Sequence, residues 1–152
     1  MDAEVYDKIR SYVRDNPIAT IGTINDNGTP HGTVVYVCAD AHYPVVYFLT
    51  KHETRKFKNI QSNDKVSLTI VNPSENSTLQ ADGWAKEVHD PKIIDMAMDK
   101  LAHDHVSATE WLPPIAKIRA GAYVVVGITL THGRLAHFKG MTIGDTKIFT
   151  TA

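Results

Sequence analysis

Apolar positions along the chain follow two rhythms. Val5, Ile9, Tyr12 and Val13 recur at the spacing of one helix face, and Asn16-Pro17 closes the run because a residue before proline avoids helical torsions. A helix is predicted over Ala3 to Asp15. From Ile18 onward the runs are short and β-rich, Ile18 to Ile24, Thr33 to Cys38 and Val45 to Leu49, parted by Asn25-Asp26-Asn27-Gly28 and by Ala39 to Pro44, which predicts hairpins in series. Phe57 and Ile60 predict a short helix laid on the sheet, and Val66 to Val71 another strand. Asn72 to Ser77 contains almost only turn and cap residues. Beyond it, Thr78 to Val88 reads as a long strand bent or bulged at Gly83. Pro91 suits a first helical position and Ile94, Met98 and Leu101 share a face, so a second long helix is predicted from Pro91 to His103. Trp111-Leu112-Pro113-Pro114 is an irregular connection. Tyr123 to Leu130 is the strongest strand signal, with a partner strand around Arg134 to Phe138. The sum is a mainly β chain of six or seven strands with two or three peripheral helices, and closure into a small barrel best removes exposed edges.

Composition narrows the class. At 152 residues the chain has the size of one domain, residues 1–152, and 43% apolar with 22% charged residues excludes collagen-like, coiled-coil and largely disordered chains. No apolar run approaches the roughly 20 residues needed to cross a bilayer, so no membrane partner is expected. Met1-Asp2-Ala3-Glu4 lacks the basic start and apolar stretch of a secretory signal, which predicts a cytoplasmic location. Cys38, the single cysteine, excludes an internal disulfide and a multi-cysteine metal site. Sixteen Lys and Arg against seventeen Asp and Glu leave a net charge of −1 and no global pull toward nucleic acid. Anion recognition has to be local.

The segment that offers it is Thr50-Lys51-His52-Glu53-Thr54-Arg55-Lys56-Phe57-Lys58, with two hydroxyls, several basic side chains and a predicted helix start whose free N–H groups attract an anion. Arginine grips a phosphate through a planar fork, lysine adds a point charge and threonine one hydrogen bond. The plainer reading of the segment is a solvated helix face.

The order of the pieces decides between them. A strand ending in Ile24, a turn with Asn27-Gly28-Thr29-Pro30-His31, the strand Thr33-Val34-Val35-Tyr36-Val37, then Tyr47-Phe48-Leu49-Thr50, Thr54-Arg55-Lys56, Asn59-Ile60 and Lys65-Val66-Ser67-Leu68 together resemble the pyridoxamine-5′-phosphate-oxidase-like, FMN-binding split-barrel family. The resemblance runs from about Ile18 to Val88 and ends in Gly83-Trp84-Ala85-Lys86-Glu87, similar to the family's Gly-x-Ala-x-Glu strand. It implies a homodimer of six-stranded antiparallel Greek-key split barrels with an FMN in each of two clefts between subunits. By position, Thr33, Val34 and Val35 would run along the flavin, Thr50 matches the threonine after the aromatic strand, and Arg55 with Lys56 match the pair that holds the FMN phosphate. Thr78 falls where the vitamin-B6 oxidases have a flavin-contacting glutamine, and Gln80, on the same strand face, could substitute for it. Trp111 would reach the partner's flavin. The family's true oxidases have arginine at Thr33 and lysine at Cys38, and their basic C-terminal substrate motif has no counterpart here, so vitamin-B6 oxidation is not expected. The expected activity moves electrons between reduced nicotinamide and a small-molecule acceptor. The alternative is a non-catalytic flavin, deazaflavin or haem binder.

The flavin performs its own redox chemistry, so no triad or acid–base pair is required of the protein. His103-Asp104-His105 is the tightest histidine cluster, but it lies at a predicted helix end without a second cluster at ligand spacing, and no metal site is expected. Asn25-Asp26-Asn27-Gly28 lacks the closing glutamate of a calcium loop. Trp84 suits packing or ring stacking, His31 an exposed turn, and Cys38 a small core position.

Overall fold

The computed structural model describes residues 2–103, 123–139 and 142–150. Helix α1 (Ala3–Asp15) begins where Asp2 accepts the Glu4 N–H at 2.7 Å and ends where the Asn16 side chain and backbone both donate to the Tyr12 carbonyl. The strands are β1 (Ile18–Ile24), β2 (Pro30–Tyr36), β3 (Cys38–Ala39), β4 (Val45–Lys51), β5 (Lys65–Asn72), β6 (Ser77–Glu87), β7 (Tyr123–Lys139) and β8 (Thr142–Thr150). Helices α2 (Arg55–Ser62) and α3 (Pro91–His103) complete the set. The mainly β prediction holds, and all three helices stand where the pattern puts them.

Every strand pairing is antiparallel, in the order β2-β1-β5-β6-β7-β4-β3, with β8 added to β7. The sheet curls so that one face encloses the main core. Ile21, Phe48, Leu68, Ile70, Leu79, Val126, Ile128 and Leu130 are wholly buried there, joined by Ile9 and Val13 of α1 and by Phe57 and Ile60 of α2. A second, smaller cluster lies on the outer face, where Ala97 and Leu101 of α3 pack on Tyr36, Cys38, Tyr47, Leu49 and Val125. Cys38 is buried there, as expected of a small core residue. Elsewhere on the outer face Ile18, Val34, Val71 and Ile148 are exposed.

Three expectations need correction. The run Thr33 to Cys38 is two strands: the β1–β2 ladder ends where the Val37 N–H donates to the opposed Pro17 carbonyl and proline has no N–H to return, and Cys38–Ala39 then pairs with β4. Arg134 to Phe138 is no separate partner of Tyr123 to Leu130; both belong to the continuous β7. Strand β8 pairs with the second half of β7, so among the described residues the strands number eight rather than six or seven. Gly133 misleads because it resembles a turn residue, whereas it lies flat in the strand beneath the Phe149 ring, 2.3 Å from where a Cβ would stand. The bend foreseen at Gly83 is present: the β6–β7 register shifts between Asp82 and Gly83, and a Cβ would meet the Thr129 carbonyl.

Candidate functional site

Strand β2 ends the sheet on one side, so its outer edge carries backbone N–H and C=O groups without a strand partner among the described residues. Across a gap from that edge stand the end of β4, the connection after it and the start of α2. The hollow between them is a cleft of about 300 Å³ walled by Thr33, Val34, Val35, Leu49, Thr50 and Tyr123, with Lys51, Thr54 and Lys56 at its polar end. The valine-rich edge offers a flat apolar wall. The other end is set by the helix cap.

Thr54 is the N-cap of α2, its hydroxyl oxygen accepting from the Phe57 N–H at 3.4 Å and donating to the Lys51 carbonyl at 2.9 Å. Its hydrogen thus committed, the 2.8 Å contact with Thr50 is made by the Thr50 hydroxyl donating to Thr54. The first-turn N–H groups of Arg55 and Lys56 meet no carbonyl inside the helix. Phe57 and Ile60 are buried beneath, which fixes the rotation of α2 and turns Lys56 into the cleft. The Lys56 amine is half-buried, and its loss of water lowers its pKa from the ordinary lysine value; no carboxylate contributes to the shift. Lys51 stands at the mouth with its ammonium 5.6 Å from the centre of the Tyr123 ring.

Five of the residues singled out in the sequence therefore meet in one cleft: Thr33, Val34, Val35, Thr50 and Lys56. Arg55 does not line it. Its side chain faces a polar recess of about 650 Å³ beside Asn25, Asp26, Glu53, Lys58 and Asn59. Thr78 and Gln80 are on the outer face of β6, paired with Val71 and Thr69 of β5. The cross-strand row Val34, Thr20, Thr69, Gln80 puts three strand spacings, about 14 Å, between Gln80 and the cleft of its own chain. The same row continues to Arg134, whose Nε is buried without a hydrogen-bond partner, and to exposed Ile148. Trp111 lies outside the described residues, as do Asp104 and His105.

Sequence reasoning missed Tyr36, Leu49 and Tyr123 as lining residues. Tyr123 comes to the cleft only because Lys51 pairs with it in the β4–β7 register, a contact 72 positions apart that no local pattern announces. Trp84 takes no part in the cleft and lies under the Lys86 amine at 5.4 Å.

The anion-seeking lysine and apolar wall fit a phosphorylated planar ring, with the phosphate at Lys56 and the ring along β2. Among the described lining residues there is no histidine, cysteine or methionine to ligate a haem iron.

A family model described as pyridoxamine 5′-phosphate oxidase matches residues 5–136. No curated protein matches the chain in sequence. Among solved structures, a protein from Clostridium acetobutylicum related to general stress protein 26, of the pyridoxinephosphate oxidase family, is 17% identical with a TM-score of 0.66, covering 99% of this chain and 96% of its own. General stress protein 26 from Bacillus anthracis is 14% identical with a TM-score of 0.70, covering 97% and 99%. A heme binding protein from Mycobacterium smegmatis is 12% identical with a TM-score of 0.69, covering 99% of this chain and 59% of its own. These likenesses share the split-barrel fold. No helix among the described residues is long and apolar enough to cross a membrane.

Proposed function

The chain belongs to the pyridoxamine 5′-phosphate oxidase family, and on that premise we propose that it is a cytoplasmic, homodimeric FMN-binding protein that moves electrons between a reduced nicotinamide and a small-molecule acceptor. The observation that carries the proposal is Lys56, a half-buried cation at the end of an apolar cleft with no carboxylate among the described lining residues. A desolvated charge of that kind is stabilised by an anionic ligand. Lys56 and the first-turn N–H groups of α2 hold the phosphate, Thr50 braces the cap by donating to Thr54, and Arg55 adds positive charge from the neighbouring recess. Val34, Val35 and the free edge of β2 orient the ring. Bound there, FMN would supply the redox chemistry, and the chain binds, orients and shields it.

The exposed apolar residues of the outer face support the homodimer. Val34 at the cleft, and Ile18, Val71 and Ile148 farther along the same face, expose apolar surface that a second copy laid on it would bury. Thr78 and Gln80, too far from the cleft of their own chain, would then approach the partner's. Trp111 would join them.

The test is an absorption spectrum of purified protein mixed with FMN and passed through gel filtration. Retention of about one flavin per chain supports the reading. An unliganded protein overturns it, and a Soret band after haem addition, in place of flavin retention, favours haem, which the likeness to the mycobacterial heme binding protein makes the second reading.

A further inference from the structure

A second hollow, away from the cleft, combines an apolar floor with a basic rim. Between the C-terminal half of α1, the segment around β3 and α3 lies a cavity of about 350 Å³ floored by Pro17, Val37, Cys38 and Ala39 and rimmed by Arg10, Arg14 and Lys100. It shares no residue with the cleft. Arg10 is held at the rim by donating to the Ala41 carbonyl and pairing with Asp7 at 2.8 Å. Arg14 pairs with Asp15 at 3.3 Å.

No carboxylate lines this cavity among the described residues. Asp40, between two of the small residues around it, turns its carboxylate elsewhere to accept the N–H groups of His42 and Tyr43 and the Tyr47 hydroxyl at 2.7 Å. Two of the three rim cations thus already have a carboxylate at their side, and Lys100 supplies the surplus positive charge. That balance suits a ligand with one negative charge; a phosphate dianion would need a second uncompensated cation. Arginine forks match the two oxygens of a carboxylate, and the only polar side chain among the described floor residues is the Cys38 thiol.

We propose that this cavity is a second binding site, for a small organic monoanion whose carboxylate meets Arg14 and Lys100 and whose aliphatic or aromatic body lies on Val37, Cys38 and Ala39. The volume is that of a small-ligand pocket at the lower end of the usual range. Occupancy couples α1 to α3 across β3, since the rim residues come from both helices. The site stands independently of the flavin reading.

Naphthoate is the probe, titrated into the FMN-saturated full-length protein and also into protein without FMN, with amide chemical shifts as the readout. The expected result is saturable movement of the Val37, Ala39, Ala41 and Lys100 amides, alike with and without FMN. Neutral naphthamide binds at least about tenfold more weakly, and the double variant Arg14→Gln with Lys100→Gln weakens naphthoate by about tenfold. Both substituted side chains are exposed, so the fold is retained. Shifts absent or confined to other residues, equal affinity for the neutral amide, or an unchanged affinity in the double variant each overturn the proposal. Failure to retain FMN would leave this outcome untouched.

Discussion

Arg55 and Lys56 are consecutive in the chain and carry the same charge, yet α2 turns them into different surroundings. Lys56 enters an apolar cleft where no carboxylate lines the wall among the described residues, and the loss of water lowers its pKa. Arg55 faces a polar recess in which Asp26 and Glu53 stand beside it and Lys58. A cation in a mixed, solvated hollow is already compensated, whereas one in an apolar hollow is stabilised only by a ligand. What separates the two is the rotation of one helix, set by Phe57 and Ile60. Charge density in a sequence therefore locates the segment, and burial selects the residue.

The comparison can be broken at its support. Phe57→Ala removes the anchor of α2 and is expected to cost about 3–5 kcal/mol of stability, seen as a lower midpoint in denaturant unfolding; a midpoint within error of the parent would show that α2 is positioned by something else. Next in size, Lys56→Ala is expected to weaken FMN by about 2–3 kcal/mol, roughly thirty- to a hundred-and-fiftyfold, because a hydrogen-bonded charge is lost from a desolvated place. Arg55→Ala should cost only about fivefold by titration calorimetry. Similar losses for the two variants would end the distinction between cleft and recess.

The cleft opens beside the outer face through Val34 and the recess does not, so the proposed partner matters to one hollow only. Val71→Asp, on that face but outside the cleft, is expected to raise the dimer dissociation constant about tenfold in sedimentation runs and to release flavin on dilution. A variant that dissociates yet keeps FMN at parent affinity would contradict the interface placement.

Smallest and most particular is the pH response. The protonated Lys56 is the form an anion binds, and its pKa in the free protein lies below that of ordinary lysine. FMN affinity is thus present at neutral pH and lost on the alkaline side, with a midpoint below that of an exposed lysine. Lys56→Arg, which stays charged, should abolish that decline. A parent profile flat to the ordinary lysine range would exclude Lys56 as the titrating group.

Much of this was legible in the sequence. The helices α1 and α3 and strand β1 match their predicted limits because caps, prolines and apolar spacing agree there. Strand β8 escaped because Thr142 to Thr150 does not alternate: Ile148 and Phe149 are adjacent, and Gly144-Asp145 imitates a turn. Gly133, a close-packing glycine in the middle of β7, imitates a turn residue in the same way. At the site, Thr33 to Val35, Thr50 and Lys56 were found through the ordered set of segments, and the cap hydroxyls came with them. Tyr123 and the parting of Arg55 from Lys56 depend on sheet register and on which way a helix face turns, and neither is written in any local run of residues.

The most direct test compares FMN with riboflavin, which lacks the phosphate, on the parent and on Lys56→Ala, by flavin fluorescence quenching. The parent is expected to prefer FMN by at least about a hundredfold, and the variant to keep only the roughly fivefold preference that Arg55 and the α2 amides supply. An equal preference for FMN in parent and variant would contradict the assignment of Lys56 as the residue that receives the phosphate.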